Sequence, residues 1–205
     1  MEKQISISKR ISAYLLDIFL VYCFMSLVTS IRFINPTYDK LLEVTNTYSE
    51  KVDKYNKKEI NEKELLEANN VYLYKATKYN ISTNIAIIVV IIAYFGLFQK
   101  YNNGQTLGKK IMKIKVTGVD NKSVSLCKYI LRLMPMYFFL IGSIIPLILN
   151  YSLLFVLNMD NFILVNSISV YALFILDIIS FTMAYIRKDH RGLHDIIAGT
   201  KVELE

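Results

Sequence analysis

The chain has 205 residues, 54% of them hydrophobic, with a mean hydropathy of +0.35 and a formal net charge of +7. Its apolar residues fall in long blocks rather than at helical or strand spacing, which is a membrane composition and argues against a soluble domain. The basic excess does not point to nucleic acid, because many of the lysines and arginines flank apolar blocks, where they set orientation and meet anionic lipid.

Residues 9–31 form the first block, which opens with Arg10 and contains one acid, Asp17. An ionisable group inside a membrane-length helix costs about 2.5–3.5 kcal/mol on insertion scales and persists where it faces a bundle interior, a partner or water. Arg10 and Asp17 share a helix face but stand about 10 Å apart along the axis, too far to pair directly. Arg10 is expected at the cytoplasmic water line and Asp17 one layer deeper. Lys3, Lys9 and Arg10 would suit a signal peptide, but Asp17 would sit in its apolar core, and Ser26-Leu27-Val28-Thr29-Ser30 is a poor cleavage site, so the block is expected to be retained. Cys23 lies in this block and Cys127 in a basic segment, so no disulfide is expected.

Residues 35–79 are rich in Lys, Glu, Asn and Tyr. Leu41, Leu42, Val44, Tyr48, Val52 and Tyr55 recur at helical spacing, as do Leu65, Leu66, Ala68, Val71 and Tyr72, which predicts a solvated helical insertion outside the membrane. Residues 81–98 are apolar and uncharged and predict a second span, with Gly96 permitting close packing or a bend. Residues 99–128 hold seven lysines against one acid, Asp120, which places them in the cytoplasm by the positive-inside rule. Within them Ile114, Val116, Val119 and Val124 interleave with Lys113, Lys115 and Lys122 around a turn signal at Asp120-Asn121. A short hairpin or an interfacial amphipathic element fits. Residues 131–157, entered through Arg132 and interrupted by Pro135, Gly142 and Pro146, predict a tilted or kinked third span. After a turn near Asn158-Met159-Asp160-Asn161, residues 162–186 predict a fourth, with a second buried acid, Asp177. Residues 187–205 form a tail.

The expected fold is therefore an all-α membrane protein of one domain, with four transmembrane helices and both termini cytoplasmic, since three crossings would strand one basic cluster outside.

Gly104-Gln105-Thr106-Leu107-Gly108-Lys109-Lys110 is not a phosphate loop: three residues separate the glycines, and Lys110 stands where the hydroxyl for magnesium is required. The glycines are expected to allow tight backbone. Lys109, Lys110, Lys113 and Arg187 are expected to anchor to lipid headgroups. His190 and His194 are four apart, but Gly192 weakens the helix between them and no third ligand is nearby, so no metal, cofactor or enzymatic chemistry is expected. Asp195 should cap the short helix that follows or pair with an arginine.

Together these residues resemble the RDD family of membrane proteins. The resemblance rests on Arg10 and Asp17 in an Arg-x-x-Ala-x-x-x-Asp setting, on Gly104 to Lys110 leading into Ile114-Lys115-Val116, on Arg132, and on Arg191-Gly192-Leu193-His194-Asp195 followed by Ala198-Gly199-Thr200. Residues 35–79 lie outside the pattern. The resemblance makes Arg10, Asp17 and Asp195 the name-giving positions. It implies transport of an unidentified ligand, with sodium/proton exchange proposed for some members, and, with the Lys, Asn and Ile bias, a bacterial cytoplasmic membrane. On this reading Asp17 and Asp177 are the buried carboxylates that trade a proton for a cation, with Arg132 near enough to neutralise one. The competing reading is a structural clamp between Arg10 or Arg132 and an acid, in a scaffold that moves nothing. Expected partners are membrane lipids, a monovalent cation or small ligand, and further copies of the chain, because four helices make a small bundle for a conduction path.

Overall fold

A computed structural model describes residues 5–120, 123–133 and 144–205. Among these residues, three helices are long and apolar enough to cross a membrane: Ile7–Thr29 (α1), Ile81–Tyr101 (α4) and Met159–Ile186 (α8). Each is continuous because its sequence carries no proline and little that competes for the backbone, and hydrocarbon forces every backbone group to be satisfied within the helix. α4 widens to a π-helix over Ile92–Phe98, the stretch that contains Gly96. The expected third crossing, 131–157, is interrupted by residues 134–143, which lie outside the described residues. Its described parts are Leu126–Leu133 (α6), which ends in Arg132 and Leu133, and Ile144–Val156 (α7). Four spans are thus not all visible, and residues 134–143, with Pro135 and Gly142, are outside the description.

The insertion folds as two helices, Tyr38–Asn56 (α2) and Glu62–Tyr79 (α3). The chain reverses through Lys58, which has φ 61°, and Asn61 caps α3 by accepting from the Glu64 N–H at 2.9 Å. Tyr48 and Tyr72 stack at 4.9 Å between centroids, so the apolar periodicity does join these helices. Tyr74 meets Phe162 edge to face, which seats the insertion on the start of α8. That helix begins earlier than expected because Asn158 accepts from the Asn161 N–H, capping it three residues ahead of the apolar run.

The fold is mostly helical but not all-α. Ile114–Gly118 (β1) pairs antiparallel with Thr200–Leu204 (β2), with Ile114 opposite Leu204 and Val116 opposite Val202. The expected local hairpin fails for a spatial reason: α6 begins at Leu126, and too few residues separate it from the turn to build a return strand. The tail, with Val202 and Leu204 alternating against Lys201 and Glu203, supplies five. Between α4 and β1 lies Leu107–Ile111 (α5), and between α8 and β2 lies Leu193–Ala198 (α9), closed by Gly199 at φ 62°.

Apolar clusters hold this end of the molecule. Val21, Met25, Ile91, Phe95 and Leu133 join α1, α4 and α6, while Ile5, Ala13 and Ile114 join α1 to the sheet. α4, α6 and the sheet are thereby gathered on α1, and Ser180 near the end of α8 meets His194 of α9. Outward faces stay apolar, as Phe19 and Leu27 of α1 and Tyr171 of α8 are exposed, which suits a lipid surrounding.

Candidate functional site

Two carboxylates, Asp17 and Asp195, are 0% exposed, and each is enclosed by donors. Asp17, in the second turn of α1 past Arg10, accepts from the Tyr94 hydroxyl of α4 at 2.6 Å, from the Thr106 hydroxyl, and from the Gly108 N–H at 2.8 Å. The Lys109 ammonium stands 3.6 Å away. This explains how a carboxylate survives two turns into a span: fixed donors replace its water. The segment that provides them can come so close only because residue 108 is glycine. A Cβ there would lie 2.2 Å from the Ala13 carbonyl oxygen and 2.9 Å from the Asp17 carboxylate. Gly104, at φ 82°, makes the preceding turn, and a Cβ there would lie 2.3 Å from the Val116 carbonyl oxygen. Thr106 caps α5 as well as serving Asp17.

Asp195 gathers more distant parts of the chain. Arg10 reaches it at 2.6 Å and Arg132 at 2.9 Å, the His194 ring nitrogen lies at 3.3 Å, and the Thr200 hydroxyl donates at 3.3 Å. Arg10 also donates to the His190 carbonyl, and Arg191 ties the Thr200 and Asp195 carbonyls together. One acid therefore staples α1, α6 and α9. Burial would raise the Asp195 carboxyl, but Arg132, His194 and Arg10 more than offset it and hold the group well below the usual carboxylate range. Burial pushes the His194 ring down despite the nearby acid, with Arg132 and Arg10 adding to the shift. Burial likewise pushes the Lys109 ammonium down to about 8, against the pull of Asp17.

The expected site residues thus divide. Arg10, Arg132 and Asp195 meet, and Asp17 forms a neighbouring centre. As spacing required, Arg10 does not pair with Asp17. Arg132 neutralises Asp195, in place of Asp17 or Asp177, because it lies at the end of α6 beside α9. Lys109 turns inward to Asp17 and sits over the Phe95 ring, in place of the headgroup contact expected of it, since the close approach of Gly108 carries its side chain under α1. Lys110 and Lys113 are exposed. Arg187 is exposed too, with its guanidinium engaged by Asp189 at 2.8 and 2.9 Å. His190 has φ 50° and lies before α9, so the two histidines do not share a helix face. Cys23 and Cys127 are separate free thiols.

Thr106, His194 and Thr200 lie inside motifs quoted from the sequence, but their bonds to the two acids are not read from it, and Tyr94 carries no sequence signal at all. Thr106 sits in a cap position ahead of Leu107-Gly108-Lys109.

Between α1 and α8, alongside both centres, lies a cavity of about 190 Å³ with mostly apolar walls. Its polar lining includes Tyr14, Asp177, Arg132, Lys109 and His194, and Asp177 is partly buried. The Arg132 Nη1 is buried and has no hydrogen-bond partner among the described residues.

Residues 5–199 match the model of the RDD family. No curated protein matches the chain, and no solved structure does.

Proposed function

Because the chain belongs to the RDD family, we propose that it is a multi-pass transporter of a small ligand or monovalent cation, sodium/proton exchange included. The cavity between α1 and α8 is its ligand site. The observation that carries this reading is that Asp177 and Arg132 line one cavity beside two donor-saturated carboxylates. Asp177, on the cavity wall, is the carboxylate placed to trade a proton for a cation. Asp17 and Asp195 hold the walls. The working assembly is a homo-oligomer of four-span subunits with both termini cytoplasmic, in a bacterial cytoplasmic membrane, and residues 35–79 on its outer side. The basic residues at both ends and in residues 99–128 support that orientation.

Proteoliposomes carrying the wild type should move sodium or protons down an imposed gradient, and Asp177→Asn should abolish the movement while leaving the melting temperature unchanged. Equal flux in the two would remove Asp177 from any pathway. No flux in either would favour a second reading, a non-transporting scaffold, which is supported by the complete enclosure of Asp17 and Asp195.

A further inference from the structure

At the level of the cavity, three cations, Arg10, Lys109 and Arg132, stand among three acids, Asp17, Asp195 and Asp177. Arg10 and Arg132 share Asp195, and Lys109 alone approaches Asp17. All three cations line the cavity. Arg132 is 9% exposed, yet its Nη1 lacks a hydrogen-bond partner among the described residues, and a buried guanidinium N–H is an expensive donor to leave unmet. Asp177 lines the same cavity. It precedes Ser180 by three residues, and Ser180 holds His194 at 3.0 Å, so its Cα stands about 4.5 Å farther along α8 from the two centres. Tyr14, Tyr129 and His194 are the other titratable groups of the lining. Apolar side chains make most of the remaining wall, and those on its α1 and α8 rims, Ile11, Leu15 and Phe181, are exposed on the outer surface of the bundle. The site thus combines a spare cationic donor with an apolar exit toward lipid.

We propose that this cavity holds the phosphate of an anionic membrane lipid, met by Arg132 Nη1 with Lys109 beside it, while the acyl chains leave between α1 and α8 past Ile11, Leu15 and Phe181. Guanidinium suits phosphate because its donors lie in a planar fork. A space of about 190 Å³ takes a phosphate and its glycerol but not the chains, which is why the apolar exit matters. Free phosphate shares the headgroup chemistry but makes no use of that exit. The phosphate takes the Arg132 side of the cavity and leaves the Asp177 side, about 4.5 Å farther along α8, to a transported ion, so the proposal does not depend on ion movement.

The full chain is reconstituted in vesicles of equal parts phosphatidylcholine and phosphatidylglycerol, extracted in mild detergent and weighed intact by native mass spectrometry. Phosphatidylglycerol should be retained over phosphatidylcholine by about tenfold, because both lipids carry the phosphate but the choline ammonium of the second meets the like charges of Arg10, Lys109 and Arg132. Ala184 lines the cavity and is not a partner of Asp17 or Asp195, so Ala184→Phe should fill the space and lower that retention by a similar factor at an unchanged melting temperature. The chain has no tryptophan, so Phe181→Trp supplies a single emitter, which brominated phosphatidylglycerol should quench more than brominated phosphatidylcholine. Equal retention of the two lipids, or undiminished retention in Ala184→Phe, overturns the proposal. So does stabilisation by inorganic phosphate with nothing added by phosphatidylglycerol. No ion gradient enters these measurements, so retained lipid without flux defeats only the transport reading, and flux without retained lipid defeats only this one.

Discussion

Replacing Asp195 by asparagine should be among the most damaging single changes in the chain. The carboxylate is 0% exposed and is shared by guanidiniums at 2.6 and 2.9 Å. Asp195→Asn keeps the shape but leaves two buried cations facing each other with no anion between them. Breaking a buried pair by removing one partner costs about 3–5 kcal/mol, since the survivor remains desolvated. For a chain of this size each kcal/mol moves Tm by about 2–4 °C, so a fall of about 6–20 °C is expected. Arg10→Gln or Arg132→Gln should cost less, because the remaining guanidinium still pairs with Asp195 and the like-charge contact is relieved. The double variant Arg132→Gln with Asp195→Asn should be less damaged than the sum of the singles. The assay is thermal unfolding of detergent-solubilised protein, followed by the loss of the monodisperse peak on size exclusion. Should Asp195→Asn melt within about 1 °C of the wild type, or the two single costs simply add in the double variant, the staple joining α1, α6 and α9 is not holding the fold.

Two further outcomes follow from the same geometry. Gly108→Ala places a methyl 2.2 Å from the Ala13 carbonyl, so α5 must back away from α1 and the Asp17 donors must lengthen. The loss should be at least about 1–3 kcal/mol by thermal unfolding, with faster hydrogen exchange at the Gly108 amide. The second concerns pH. The folded protein disfavours protonated His194, whose value is lowered by burial, whereas the unfolded chain takes up that proton below about 6.5. The unfolded state then binds more protons, so stability should fall as pH drops through and below that value. His194→Gln should flatten this slope in melting temperatures taken between about pH 7.5 and 5.5, and an unchanged slope would assign it to other groups.

Hydrophobic blocks of membrane length and a carboxylate within one of them were enough to infer spanning helices and a sheltered Asp17, because lipid leaves the backbone no alternative to the helix and a charge no alternative to a partner. The periodicity of residues 35–79 likewise predicted helices, and Tyr48 stacks on Tyr72 as that pattern requires. The glycines at 104 and 108 were readable as places of tight backbone, although what they approach was not. Seven residues of separation were enough to deny a bond between Arg10 and Asp17.

Partners were another matter. Lys109, Lys110 and Lys113 are the same residue type within five positions, yet only Lys109 turns in to Asp17, because α5 docks on α1 through Gly108. Arg10 meets Asp195 across nearly the whole chain, and β1 takes its strand from the tail rather than from its neighbour in sequence. Hydropathy and spacing act locally and settle which residues must be hidden or bonded. Which acid receives which cation depends on where the helix ends come to rest, and that is decided by packing among segments that the linear order keeps apart.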